Sequence, residues 1–308
     1  MVDICIIGSG IVGSLIAQKL SKYKCEVLVL EKDNDVGNEA SSANSAIIHS
    51  GHDPKDNTLK MQLNRLGNHL WDALAQELSI DFKRVGGLVV AQDVDQEESL
   101  KDLFFRTKQR GIECELLDGK EARLIEPHLS DSIVMAMSLP STAIITPWEA
   151  SVAAIENAID NGVTLKLNQC VCAIDRLEDG FRIHTQKDIF ESRIIINCAG
   201  IYADAIYALV AQNQSLKVLP RKGEYYVLDR EDQPIVSKVI YPMPSKLGKG
   251  VLAVPTIHGN VLIGPNSYVT KDKESNDTTL LGLDYVKSEV SKILKDIPFH
   301  KIIRSYSG

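Results

Sequence analysis

Residues 3–31, "DICIIGSGIVGSLIAQKLSKYKCEVLVLE", constrain the fold more than any other stretch of the chain. "DICII" is a short β run ending at Gly8. Leu15, Ile16 and Leu20 follow at helical spacing, and "EVLVLE" (26–31) is β again. Strand, turn, helix and strand within about 30 residues open a parallel sheet. The turn itself reads "GSGIVG". Gly8 permits a tight turn, Gly10 lets the backbone approach a pyrophosphate, and Gly13 allows close helix–strand packing. The helix N-terminus presents free N–H groups and a positive dipole end to phosphates. Glu31 closes the second strand, where a carboxylate can accept hydrogen bonds from ribose hydroxyls. The stretch therefore specifies a dinucleotide site. The chain holds one such fingerprint, so a second nucleotide site for a nicotinamide cofactor is not expected.

Downstream, the pattern alternates between helix and strand. Leu59, Leu63, Leu66, Leu70 and Leu74 mark an amphipathic helix to about Leu78, and "GLVVA" (87–91) is a strand. Residues 97–111 read as a helix stopped by Gly111, and 133–139 as a β run. "TPWEASVAAIENAIDNG" has Pro147 at a helix start and Gly162 at its end. "TLKLNQCVCAI", "FRIHT" and the apolar "SRIIINCAG" (192–200) are strands. Residues 216–264 are rich in strands and turns, and 283–297 suggest one more helix. No repeat or low-complexity linker separates these blocks, so the expected domains are interleaved rather than strung end to end.

Composition narrows the function class. A net charge of −7 offers no basic footprint for nucleic acid, and none is expected as a partner. No apolar stretch approaches the roughly 20 residues of a membrane-spanning helix. Asp3 stands where a signal peptide would carry basic residues. The six cysteines show no CxxC spacing, and Cys5 and Cys198 lie inside apolar runs. That usage suits a reducing, cytoplasmic setting.

"ANSAIIHSGHDPKDNTLK" (43–60) is a loop too polar for a core and dense in groups that do chemistry. A metal site could be drawn from His49, His52 and Asp53, but no other part of the chain offers a matching ligand pair, so none is expected.

The N-terminal fingerprint, including the Glu31-Lys32 pair, resembles that of flavoproteins related to D-amino-acid oxidase. "INCAG" (196–200) resembles the strand by which such proteins return to the nucleotide domain. The resemblance implies FAD as the cofactor. It would be contacted along Gly8, Ser9, Gly10, Ile11, Val12 and Gly13, by Glu31 and Lys32, by Val171 near the adenine, and by Ala199 and Gly200. "SSANSAIIHSGHDP" resembles the segment that, in FAD-dependent glycerol-3-phosphate dehydrogenases and oxidases, runs from pyrophosphate to flavin ring. L-2-hydroxyglutarate oxidases carry a similar one. Ser41, Ser42, Asn44 and Ser45 would serve phosphate and ribityl oxygens, with His49 against the isoalloxazine. Ala46 departs from the family's glycine; if that backbone needs positive φ, alanine is strained there.

Residues 215–250 carry seven Lys/Arg against four Asp/Glu. "MPSKLGKGVLAVPTIHGNVLIGP" (243–265) is similar to the glycerol-3-phosphate family's block in which a lysine in "GKGV" reaches the substrate. Lys249 takes that place, and His258 sits in the second half. "RKGEYYVL" and "EPHL" fit the same pattern, and the resemblance covers essentially the whole chain. It implies an α/β fold: a Rossmann-like FAD-binding domain of the glutathione-reductase type, interleaved with an α+β substrate domain on an antiparallel sheet. The expected boundaries are 1–82 plus 145–212 for FAD and 83–144 plus 213–308 for substrate.

The implied reaction oxidises glycerol 3-phosphate to dihydroxyacetone phosphate. A base takes the hydroxyl proton as hydride leaves for flavin N5. His49 and His258 are the base candidates, and Lys249 would anchor the small anionic substrate. A 2-hydroxy-acid oxidase is the alternative, and a flavin-binding chain without turnover a third reading. Oxygen, a quinone or a protein could each take the electrons, and peripheral contact with a membrane is left open. The chain ends "HKIIRSYSG", where the resembled family continues into a substrate-pairing arginine and a further helix at the flavin. The expectation is a C-terminally truncated fragment of a longer protein that by itself binds FAD weakly.

Overall fold

A computed structural model describes residues 1–211, 215–243 and 250–308. Two large sheets dominate. The first runs, edge to edge, Val171–Leu177, Gly180–Thr185, Ile189–Asn197, Val2–Ile7, Val27–Leu30 and Thr164–Lys166. Its four strands from Ile189–Asn197 to Thr164–Lys166 are parallel, and an antiparallel meander extends the other edge. Strand Val2–Ile7 is apolar on both faces because both are covered. Ile6 packs with Ala17 of helix Ile11–Leu20 and with Ile155 and Ala158 of helix Pro147–Asp160. Cys5 and Ile7 pack the other way, with Leu28, Leu30 and Ile183. Burial pushes the Cys5 thiol up to about 12, so it behaves as the small apolar side chain its run suggests.

The second sheet has eight strands in the order Ile302–Ser307, Glu224–Leu228, Val261–Gly264, Leu252–Pro255, Val239–Pro242, Gly87–Ala91, Met135–Leu139 and Glu115–Asp118. All pairings are antiparallel except that of Val239–Pro242 with Gly87–Ala91. On one face, Leu88, Val90, Ile240 and Ile263 pack against Val286 and Val290 of helix Leu280–Ile293. On the other, Val89, Met137, Leu139 and Tyr241 meet Leu100 and Leu103 of helix Val94–Gln109. A small three-stranded sheet of Ile47–Ile48, Ala143–Ile145 and Phe82–Lys83 ties the loop around residue 46 to the crossover between the two large sheets.

Helix ends follow their caps rather than the apolar spacing. Asp93 accepts from Gln96 N at 2.8 Å, so the helix expected from residue 97 starts at Val94. Thr279 accepts from Gly282 N at 3.1 Å, which moves the last helix to Leu280–Ile293 from the expected 283–297. Helix Leu59–Glu77 holds a larger surprise. Leu59, Leu63, Leu66 and Leu70 are 55–68% exposed, while Asn68 and Ala75 are buried. Asn68 Nδ2 donates to the His49 carbonyl at 3.0 Å and the Ser141 carbonyl at 2.9 Å. Arg84 in turn donates to Asn68 Oδ1 at 3.2 Å. The first half of this helix docks through a buried amide network, with its leucines outward, and the second half through Trp71, Leu74 and Ala75.

Candidate functional site: a dinucleotide cleft beside a cavity

The first strand ends at Gly8, whose φ of +100° suits glycine alone and whose added Cβ would stand 2.5 Å from the Cys198 carbonyl oxygen. At Gly13 a Cβ would lie 1.9 Å from Gly8 O, so glycine here lets helix and strand close together. Gly10 is the helix N-cap and has no capping side-chain bond. Its missing Cβ leaves a cradle facing Ser41, whose Oγ would be 3.0 Å away and accepts from Ile11 N at 2.9 Å. Val12, in the helix's first turn, is exposed. A helix N-terminus whose N-cap glycine brings no side chain, with Ser41 reaching only Ile11 N, leaves a glycine-floored cradle that fits a pyrophosphate.

Glu31 is buried at the end of its strand. Its Oε2 accepts from both Ser9 N and Ser9 Oγ at 2.8 Å, and Oε1 accepts from Asp33 N at 3.0 Å. These bonds fix the carboxylate beside the glycine turn. Lys32 pairs with Glu39 and Asp33. Gln169 N donates to the Glu31 carbonyl at 2.7 Å, so the segment leading into Val171 runs beside the same strand end. Cys198 N donates to Ile7 O at 2.8 Å, which brings Ala199 and Gly200 against Gly8. The segments carrying Gly8–Gly13, Glu31, Val171 and Ala199–Gly200 thus meet along the edge formed by the carboxyl ends of the parallel strands of the six-stranded sheet.

Beside this edge lies a cavity of about 760 Å³. Ser42, Asn44 and Ala46 of the polar loop bound one side, and His258, in the turn between Leu252–Pro255 and Val261–Gly264, bounds the other with Arg304 and Tyr306 of the eight-stranded sheet. Its described wall carries four basic side chains (Arg221, Lys222, Lys273 and Arg304) against the acidic Glu39 and Asp272. Lys222 is spoken for by Asp277 at 2.8 Å and Lys273 by Asp204 at 2.6 Å. Asn44 Oδ1 accepts from Ala46 N at 2.7 Å, and Ala46 does adopt positive φ, 58°.

His49 and His258 do not share a cavity. His258 sits on the cavity rim, with Nε2 3.8 Å from Glu149 Oε1. His49 lines a separate void of about 30 Å³ with His52, Asp53, Tyr241 and Gly250. The Tyr241 hydroxyl is 3.4 Å from His49 Nδ1, and burial holds that phenol well above its ordinary pKa. His52 Nδ1 is engaged by Ser50 Oγ at 2.9 Å. Lys249 lies outside the described residues; its neighbour Gly250 lines the His49 void. Tyr225, Tyr306 and Arg304 escaped the sequence reading. Period-two alternation does put Arg304 and Tyr306 on one strand face, but nothing in sequence pairs that face with a loop some 260 positions earlier.

A family model described as FAD dependent oxidoreductase matches residues 3–308. The chain belongs to the FAD dependent oxidoreductase family. As in that family, its cofactor is FAD, and the cradle at Gly10, the fixed Glu31 carboxylate and the adjoining cavity are of the kind this group requires. Over 309 residues the chain is 43% identical to a glycerol 3-phosphate dehydrogenase of Caloramator mitchellensis, covering 100% of this chain and 64% of that protein. It is 30% identical to a glycerol 3-phosphate oxidase of Mycoplasma genitalium, covering 82% of that protein. Among solved structures, L-alpha-glycerophosphate oxidase of Mycoplasma pneumoniae with FAD bound superposes with a TM-score of 0.93 at 27% identity, covering 100% of this chain and 82% of the other. The chain thus spans just under two thirds of the dehydrogenase and more of the oxidases. No helix among the described residues is long and apolar enough to cross a membrane.

Proposed function

We propose that this chain carries the FAD-binding and substrate-facing parts of an enzyme that oxidises glycerol 3-phosphate to dihydroxyacetone phosphate. The observation that carries the reading is the cavity. It lies between the polar loop and the eight-stranded sheet, and its wall carries Arg221 and Arg304 outside the ion pairs that, among the described residues, neutralise Lys222 and Lys273. Such a wall favours a small anion. The likeness to glycerol 3-phosphate dehydrogenase and oxidase supports the choice of anion. We take residues 1–82 with 145–212 as the FAD unit and 83–144 with 213–308 as the substrate unit, since each large sheet draws its strands from one of these sets.

FAD, when bound, accepts hydride from the carbinol carbon. The chain's own task is to hold the substrate, take the hydroxyl proton and exclude water. His258, on the rim of this cavity, and His49, in the separate void beside Tyr241, are the two base candidates, and of these only His258 borders the cavity assigned to the substrate. Lys249 is assigned to the substrate anion from its sequence block. Its ammonium acts as a point charge, and Lys249→Ala should lower kcat/KM about ten- to a hundredfold while leaving flavin affinity nearly unchanged. The unpaired cysteines fit a cytosolic protein.

The decisive measurement is anaerobic mixing of the FAD-loaded chain with glycerol 3-phosphate or L-2-hydroxyglutarate, read as loss of the oxidised-flavin absorbance. Bleaching by glycerol 3-phosphate is expected. Bleaching only by the hydroxy acid, or by neither, overturns the assignment.

A further inference from the structure

Tyr225 and Tyr306 are directly paired on adjacent antiparallel strands. Their rings stack with centroids 4.7 Å apart and planes 5° from parallel. Both hydroxyls leave the sheet and reach the same short loop. Tyr225 Oη shares a hydrogen bond with Ser45 Oγ at 2.9 Å, and Tyr306 donates to the Asn44 carbonyl at 2.8 Å.

From there the bonds continue into the nucleotide side. Asn44 Nδ2 donates to the Ser41 carbonyl at 2.9 Å, and Ser41 Oγ accepts from Ile11 N at the start of the nucleotide helix. The strand bearing Tyr306 also closes on the loop directly. A Cβ on Gly308 would stand 2.0 Å from the Ala43 carbonyl oxygen. An unbroken path thus joins the eight-stranded sheet to the first turn of the nucleotide helix. It passes through a loop that holds Ala46 in a conformation alanine disfavours. Such a backbone persists only where its surroundings over-determine it.

We propose that Tyr225 and Tyr306 are a positioning pair, clamping residues 44–46 to the substrate-facing sheet so that a flavin seated on this loop keeps one distance and tilt from the substrate. The proposal rests on the FAD reading above. Two hydroxyls on a rigid stacked pair fix a loop against rotation where one would leave a hinge. Burial pushes the Tyr225 phenol up to about 12 and raises that of Tyr306 as well, so both stay protonated and hydrogen-bonding throughout the neutral range.

Tyr225→Phe and Tyr306→Phe keep the stacked rings and delete only the hydroxyls, so they are suited to the test. Two readouts apply to the 308-residue chain. Without FAD, amide hydrogen exchange at residues 44–46 should speed up about thirtyfold in the double variant, the effect of losing two hydrogen bonds of ordinary net strength. With saturating FAD, the visible circular dichroism of the flavin should change, and flavin reduction should slow while KM moves little. Ser45→Ala should add nothing further once Tyr225 is Phe. A double variant that merely melts earlier, with native exchange at 44–46 and a native flavin spectrum, overturns the clamp. A native chain that takes up no FAD overturns the flavin reading and the clamp's role in it together, while a native chain that binds FAD beside spectrally identical variants sinks the clamp alone.

Discussion

Ala46 is the residue where local strain is most visible. At φ 58° its Cβ crowds the backbone in a way glycine avoids, so Ala46→Gly is expected to stabilise the chain by about 0.5–1 kcal/mol. The urea midpoint at constant m-value measures it, and a lower midpoint would show that the loop prefers alanine's stiffness. Asp277 makes a second residue-scale test. The hydrogen bond from Lys222 and that from Ser275 lower its carboxyl from 3.8 to about 2. A depressed carboxylate stabilises the fold above its unfolded pKa and loses that contribution as pH falls through the folded value. Asp277→Asn should therefore flatten the acid limb of the stability curve between about pH 4 and pH 2, relative to the native chain. Burial works against the charge on Lys222, yet Asp277 and Tyr268 leave its pKa raised. Its contribution is present below about pH 10.5 and fades as pH rises above that. A native-like acid limb in the Asn variant would mean that the pair is screened by water.

Elements obey caps and hydrogen-bonded anchors as much as hydrophobic pattern, which decides what the sequence reveals. The opening strand–helix–strand unit was legible because Gly8 and Gly13 each meet a backbone atom that excludes a side chain, and glycine is visible in sequence. The eight-stranded sheet was legible only as a run of β segments. Its order pairs Gly87–Ala91 with Val239–Pro242, a long-range choice that no local period encodes. Leu59, Leu63, Leu66 and Leu70 misdirect a reader, because this part of the stripe points outward while Asn68 points in, and Leu74 at its end does meet apolar neighbours. Within the site, the glycine turn and its neighbouring Glu31 were readable as local structure and the tyrosine pair was not, since stacking across strands depends on register. Two outcomes belong to this scale. Thr279→Ala should cost about 1 kcal/mol by removing the side-chain cap on Gly282 N, read from thermal or urea unfolding. Leu63→Lys with Leu66→Lys should leave stability within about 0.5 kcal/mol of native, as expected of exposed positions. A loss well beyond that would mean the stripe is covered in solution.

At the scale of the whole molecule, the dinucleotide cleft couples cofactor to stability. FAD at a hundred times its Kd should add about 2.7 kcal/mol, which for a chain of this length raises Tm by about 4 °C. Gly10→Val fills the cradle facing Ser41 and should abolish that rise without lowering the Tm of the FAD-free chain by a comparable amount. Differential scanning with and without FAD reads both, and a Gly10→Val variant that still gains stability from FAD would place the pyrophosphate elsewhere.

The central position of Val2–Ile7 in the six-stranded sheet also has a consequence for synthesis. One edge of this strand finds Val27–Leu30 almost at once, but its other partner is Ile189–Asn197. At about 5–20 residues per second, the ribosome takes roughly 10–40 s to deliver that second partner. Throughout that interval the nascent chain carries an apolar strand with an open hydrogen-bonding edge. In that interval the edge is open to pairing with a neighbouring chain, a hazard that ends when Ile189–Asn197 covers it.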